Sequence, residues 1–269
     1  MKNAPVKISA AANVALIKYW GKTDLEKNIP AVASLSIGIE DLRTETIISE
    51  SKDKTDTLVG RFKKYEKKRI LNYVSMAKKL LGVSGGLKIE TVNNFPSSSG
   101  LASSASGFAA IALGIDEFFA LDLPRKDISR LARLGSGSAA RSIYGGFVQM
   151  DTGTDPFAAP LKLEDPWLLD ILVLVTEEQP KKLSSTDSMN LTKGTSPFYS
   201  AWLDTQENDF LRAKDAIIER DFWKLARISE HNCLKMHSTI MTAKPPHFYW
   251  NPSTVKILHQ VKKIQEKGL

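Results

Sequence analysis

Residues 93–119 constrain the fold more than any other part of the chain. They begin NNFPSSSGLASSASGF and stay apolar, with Leu101, Ala105, Phe108, Ala112, Ile115 and Phe119 stepping by four, three, four, three and four. That period marks one buried face of a helix about five turns long. A run of β-formers at 86–92 precedes it, so the pattern reads strand, short Pro/Ser/Gly turn, long helix. The first N–H groups of a helix lack internal acceptors and its dipole favours negative charge there, so such a junction suits an anion. Ser97, Ser98, Ser99 and Gly100 let a polyphosphate approach the backbone, and Ser103 and Ser104 add hydroxyls that can touch phosphate or hold Mg²⁺. No Gly-Lys-Ser/Thr follows, so this is not a Walker A loop. Taken alone, the stretch equally suits a small-residue helix packed closely on a neighbour.

Two further segments carry chemistry. RLGSGSAARSIYGGF, residues 133–147, places glycines and serines in a turn before a short helix. Ser136 and Ser138 with Arg141 could hold a carboxylate or phosphate, the arginine supplying paired donors; a glycine-serine loop with a surface arginine is the plainer alternative. NVALIKYWGK, residues 13–22, is a strand whose end carries Lys18, Tyr19, Trp20 and Lys22. Lys22, directly after Gly21, suits a diphosphate as a compact point charge. An aromatic-basic strand end of this kind can also be plain packing.

Charge is consistent with an anionic ligand without choosing it. The 37 basic and 30 acidic residues leave +7, a balance compatible with nucleic acid, an acidic membrane surface or a small anionic substrate. Many lysines fall in residues 61–81, where Phe62, Leu71, Val74, Ala77 and Leu81 recur at helical spacing, which is an amphipathic helix with a solvated basic face. No zinc-ligand spacing, RNA-binding aromatic motif or basic zipper points to nucleic acid, and no apolar run approaches the ~18 residues of a membrane span. The N-terminal apolar stretch is broken by Asn13 and Lys18, against a secretory signal. A single cysteine, Cys233, excludes a disulfide framework and suits a reducing cytoplasm. His231, His237, His247 and His259 fit no metal or triad spacing and are expected at the surface or in helix packing.

Further strands are expected at 12–19, 35–39, 44–48 and 145–151, and a helix at 124–134. Residues 169–176 form a run of apolar β-formers, expected as a strand opening the second part of the chain. Helices should follow over 202–219, 222–236 and 253–267, the last capped by Ser253 and stopped by Gly268. The expected division is 1–170, a nucleotide-binding half, and 171–269, a substrate half.

The three segments together resemble the GHMP kinase superfamily and, within it, the mevalonate diphosphate decarboxylase family. IKYWGK is far more specific than a glycine loop; PSSSGLASSA matches the family's ATP-phosphate loop, GSGSAARSIYGGF its substrate loop, and KKLSSTDSM a later substrate-contacting stretch. The resemblance implies an α+β GHMP-kinase fold, with a ribosomal-protein-S5-like N-terminal half and a ferredoxin-like C-terminal half. It implies the use of ATP and Mg²⁺ on mevalonate 5-diphosphate: the 3-hydroxyl is phosphorylated, phosphate then leaves as CO₂ is lost, and isopentenyl diphosphate is formed for isoprenoid biosynthesis. By position, Ser97, Ser98, Ser99, Gly100, Ser103 and Ser104 would bind the nucleotide, the last two also the metal. Tyr19, Lys22, Ser136, Ser138, Ser185 and Thr186 would bind substrate, Arg141 would orient the reacting end, and Lys18 would stand nearby as a catalytic candidate. A cytoplasmic homodimer is the implied form, with no nucleic-acid or membrane partner.

The family also carries a C-terminal strand-loop of the form Asp-Ala-Gly-Pro-Asn, whose aspartate lies near the 3-hydroxyl. No such motif occurs in these 269 residues, and the strand that bears it in the family is expected to be missing from them. The expectation is a shortened version of a longer enzyme; at this length it should bind ligands yet turn over slowly, since a positioned aspartate typically supplies ~10²–10⁴ in rate. The alternatives are a phosphomevalonate decarboxylase, a mevalonate 3-kinase that does not decarboxylate, and a non-catalytic nucleotide- or RNA-binding homologue.

Overall fold

The computed structural model describes residues 4–96, 101, 103–177 and 183–267. Its organising element is one long strand. Strands β1 (Val6–Ile17), β2 (Lys22–Asp24) and β3 (Ile29–Pro30) lead into β4 (Ser34–Glu50), which absorbs the two separate strands expected at 35–39 and 44–48. β5 (Thr57–Val59), helix α1 (Lys64–Leu81), β6 (Leu87–Asn93) and helix α2 (Ser103–Phe118) follow. Helix α3 (Arg125–Gly135), a 3₁₀ helix (Gly137–Ile143), β7 (Phe147–Met150) and β8 (Ala158–Pro160) complete the first part.

β1 pairs antiparallel with β4 along its length, while the other edge of β4 is shared: Ser34–Ile37 meets β7 and Thr44–Glu50 meets β6. The β1–β4 register breaks between Ala11, opposite Arg43, and Ala12, opposite Ile39, so three residues of β4 bulge out. Thr44, Thr46 and Ile48 are buried while Glu45 and Ile47 are exposed, the alternation of a sheet with one solvated face. On the covered face lies α2, buried nearly all round because Ala105, Ala109, Ala110, Ala112 and Gly114 keep it thin. A Cβ at Gly114 would press on the Ile48 side chain, so the helix sits close against the sheet there.

The opposite face of the β4 N-terminal half is covered by α5 (Tyr199–Ile218) and α6 (Phe222–Met241), which follow α4 (Ser185–Thr195). Phe210, Ala213, Ala216, Ile217, Leu225 and Ile228 pack with Ile17, Leu35, Ile37 and Phe147 in a second core. α7 (Pro252–Glu266) is capped by Asn251 rather than Ser253, its side chain accepting from Thr254 N–H at 2.8 Å, with Pro252 in the first turn. Gly268 lies outside the described residues.

Residues 169–176 differ from expectation. No described residue after Pro160 belongs to a strand. The run is extended and two-sided: Leu169 and Ile171 pack onto the second core, whereas Leu168 and Leu172 are 88% and 85% exposed. Alternating burial requires only one packed surface, but a ladder requires a strand beside it. None of the described helices is long and apolar enough to cross a membrane.

Asn232 on α6 joins the two parts of the chain. Fully buried, it accepts the Lys18 N–H at 2.9 Å and donates to Asp209 Oδ2 at 2.8 Å and Gln206 Oε1 at 3.2 Å. Asn232→Leu should cost about 1–3 kcal/mol, because it strands the Lys18 N–H and Gln206 Oε1, while Asp209 keeps Lys235. Urea unfolding should show a lower midpoint at unchanged slope.

Candidate functional site

Where β1 ends, the chain must leave the sheet without closing the space above the α2 N-terminus. Gly21 turns it with φ +102°, and a Cβ there would strike the Tyr199 hydroxyl. The result is a cleft of about 730 Å³ between the β1 end, the heads of α1 and α2, the 3₁₀ helix and the start of α4. Lys18, Tyr19, Lys22, Ser103, Ser104, Ser136, Ser138, Arg141, Ser185 and Thr186 all line it. Thus every described residue singled out from the sequence comes to one place. Ser97, Ser98, Ser99 and Gly100 lie outside the described residues. A second hollow of about 500 Å³, at the far end of α2, is lined by Arg43 and Glu40, which pair at 2.8 Å, and by none of the candidate site residues, although Ser142 to Gly145 of the second motif border it.

Lys22 is buried and donates to Asn28 Oδ1 at 2.6 Å and Thr186 Oγ1 at 2.9 Å. Burial and the nearby Arg69 lower its pKa to about 8, opposed by Asp187. Arg141 is 2% exposed; it donates to Ser34 Oγ at 2.8 Å and Asn13 Oδ1 at 3.4 Å, and stands 6.0 Å from the Tyr19 ring. Burial lowers its pKa to about 10, with Tyr19 acting the other way. Its Nε is buried with no hydrogen-bond partner among the described residues. No described carboxylate forms an ion pair with either cation. Buried charge without a counter-charge is costly, so the cleft is built for an anion.

Tyr19 is held by its own hydroxyl, which donates to Asn28 O at 3.0 Å, and burial pushes its pKa well up, keeping it a neutral phenol. Gly137 is required beside it, because a Cβ there would overlap the Tyr19 ring. Ser136 Oγ lies 3.4 Å from Ser104 Oγ and 3.3 Å from Ser138 Oγ, linking the α2 head to the 3₁₀ helix. Lys18 is half-buried and donates to Ala15 O at 2.9 Å. Ser185 is exposed at the cleft rim.

Sequence reasoning missed Asn13, Asn28 and Ser34, whose side chains hold the two cations. Their signal is a polar side chain inside an apolar strand or at its edge: Asn13 in ANVAL, Ser34 in ASLSI, Asn28 before Ile-Pro.

A sheet backed by a small-residue helix, whose first turn opens on a cleft with two unpaired buried cations, defines a phosphate-handling enzyme of the GHMP-kinase fold. Residues 10–159 match the model of the diphosphomevalonate decarboxylase-like N-terminal domain, and residues 171–268 that of the mevalonate 5-diphosphate decarboxylase C-terminal domain. The diphosphomevalonate decarboxylase of Candida albicans is 33% identical over 97% of this chain and 78% of its own length; the human enzyme is 32% identical over 97% and 71%. The crystal structure of mevalonate diphosphate decarboxylase from Staphylococcus aureus superposes with a TM-score of 0.91 at 34% identity, covering all of this chain and 83% of that one. A structure described as MDDEF in complex with MVAPP, AMPPCP and magnesium gives 0.87 at 35% identity over 98% and 84%. The chain belongs to the diphosphomevalonate decarboxylase family.

The depressed Lys22 pKa has a measurable sign. Between about pH 8 and the ordinary lysine value of 10.5, the free protein holds Lys22 largely neutral. A bound phosphate anion favours the ammonium, so binding should take up a proton in that window, and affinity should fall as pH rises through it. Calorimetric titration with inorganic pyrophosphate in buffers of different ionisation enthalpy checks this; Lys22→Met should remove the uptake.

Proposed function

We propose that this chain carries out ATP-dependent decarboxylation of mevalonate 5-diphosphate, giving isopentenyl diphosphate, ADP, phosphate and CO₂. The observation that carries the reading is the pair of buried cations, Lys22 and Arg141, opening on one cleft with no carboxylate partner. A substrate with a diphosphate at one end and a carboxylate at the other supplies an anion for each.

In this reading Lys22, with Thr186 and Ser185, binds the diphosphate. Arg141, fixed by Ser34 and Asn13, has Nε left to hold the carboxylate, so the C–C bond to be broken is oriented before the 3-hydroxyl reacts. Ser136 and Ser138 fill the wall between the two ends, and Tyr19 closes it with an apolar face that excludes water. Lys18 lies on the same wall and is assigned to the reacting end.

The α2 head fits a nucleotide. Ser103 and Ser104 stand at its first turn on the cleft wall, with Arg69 beside them. Bound there, MgATP supplies the phosphoryl group that turns the 3-hydroxyl into a leaving group. No cluster of three metal-ligating side chains occurs among the described residues; serine hydroxyls and nucleotide phosphates suit a Mg²⁺ that arrives with its nucleotide. The reading assigns residues 1–170 to nucleotide binding and 171–269 to substrate binding, in a cytoplasmic homodimer whose mass light scattering would check.

Release of phosphate and CO₂ should be followed with mevalonate carrying zero, one or two phosphates. Both products should appear with the diphosphate; phosphorylation without CO₂ would reassign the chain as a 3-kinase, and preference for the monophosphate as a phosphomevalonate decarboxylase. Arg141→Ala should lower kcat/KM by about 10²–10³, as removal of a preorganised charged donor does. Tight RNA binding, steeply salt-dependent and unchanged in Arg141→Ala and Lys22→Ala, would favour the non-catalytic alternative.

A further inference from the structure

The α4 end of the cleft is held from behind by a segment that lines none of it. Thr186, which accepts from the Lys22 ammonium, lies in the first turn of α4, with Ser184 as N-cap accepting from Asp187 N–H at 3.2 Å. Two residues on, Ser188 points away from the cleft and is fully buried; its Oγ lies 2.5 Å from His247 Nε2. His247 belongs to the loop after α6, and its ring packs edge-on against Tyr249 at 5.6 Å. The Tyr249 hydroxyl donates to Leu183 O at 3.2 Å and approaches Ser184 O at 3.5 Å, so the loop grips the helix on both sides of its cap.

We propose that His247 is a positioning residue: through Ser188 it holds the first turn of α4 so that Thr186 meets the Lys22 ammonium at the phosphate-binding end of the cleft. The role goes beyond the surface or packing place expected for the histidines, and it rests on the reading of that end as the diphosphate site. Its cap satisfies only one of the unpaired N–H groups of the first turn, and α4 is only 11 residues long, too short to be stable by itself. Its Thr186 hydroxyl is one of two groups oriented on Lys22, the other being Asn28. Loosening the turn therefore frees the ammonium from one anchor while leaving Arg141 and the α2 head untouched. Burial lowers the His247 pKa, favouring the neutral ring, which can serve Ser188 as donor or acceptor according to its tautomer.

The test uses the whole chain and two readouts. Hydrogen–deuterium exchange should quicken in the peptide covering the start of α4 in His247→Ala and in Ser188→Ala. Affinity for mevalonate 5-diphosphate should fall about tenfold in each, as loss of a buried hydrogen bond implies. The double variant should lose less than the sum of the two single ones, since both remove the Ser188–His247 contact. His247→Gln, whose amide can reach the same hydroxyl, should restore both exchange and affinity, and ATP affinity should stay unchanged throughout. Unchanged exchange overturns the proposal, and so does faster exchange with unchanged substrate affinity in a wild-type chain that binds. A wild-type chain that binds no mevalonate diphosphate would instead remove the substrate reading itself, and with it the role given to Thr186.

Discussion

Asn28 holds the cleft together. Its Oδ1 accepts the Lys22 ammonium at 2.6 Å, its Nδ2 donates to the carbonyls of Arg133 and Leu134 at 3.0 and 2.9 Å, and its own carbonyl accepts the Tyr19 hydroxyl. One buried side chain thus ties the strand end to the last turn of α3, whose free carbonyls need donors. Its backbone sits at φ +52°, a left-handed conformation that asparagine tolerates better than most residues. An aspartate of the same shape could pair with Lys22 but could not donate to the two carbonyls. Next to it, Arg133 is almost wholly buried and donates to Lys27 O, Pro156 O and Asp155, bracing the same turn from the β8 side.

That scaffold explains how two cations can remain in a protein interior without carboxylates. Neutral oxygens solvate them: amides and hydroxyls of Asn13, Asn28, Ser34 and Thr186. Such acceptors offset part of the desolvation cost but leave the net charge uncancelled. The cleft therefore keeps its positive potential for a ligand, which a salt bridge in the same place would have quenched.

Much of this could be seen in the residue order, and the limits are physical. The α2 face was readable because its apolar steps repeat over five turns, and the cleft residues because serine, glycine and cation cluster in loops next to helix starts. Asn28 and Ser34 were not, because a single polar residue beside an apolar strand is equally compatible with facing solvent; only the fold says which side is covered. The segment 169–176 misled for a related reason. Its apolar character is real, and one row of it does pack, but strand pairing depends on a neighbour that no local pattern names. Most helix ends were legible to within a few residues, but α6 runs on to Met241 past its expected end at 236 and α4 was not expected; the choice of Asn251 over Ser253 as cap turned on Pro252, which fits a first turn.

The register break in the β1–β4 pair acts as a change of phase. Before it, even-numbered Ile8 and Ala10 pack toward α2; after it, odd-numbered Asn13 reaches Ser138 and Ser142 on that same layer, while Val14 and Leu16 turn to α5 and α6. An unbroken strand would keep one parity throughout and would send Asn13 into the apolar layer, leaving Arg141 with Ser34 alone. The irregularity also insulates the two ends of the strand from one another. A single strand thereby presents its side chains to two different neighbours, the α2 layer and the α5–α6 layer, from the same two faces.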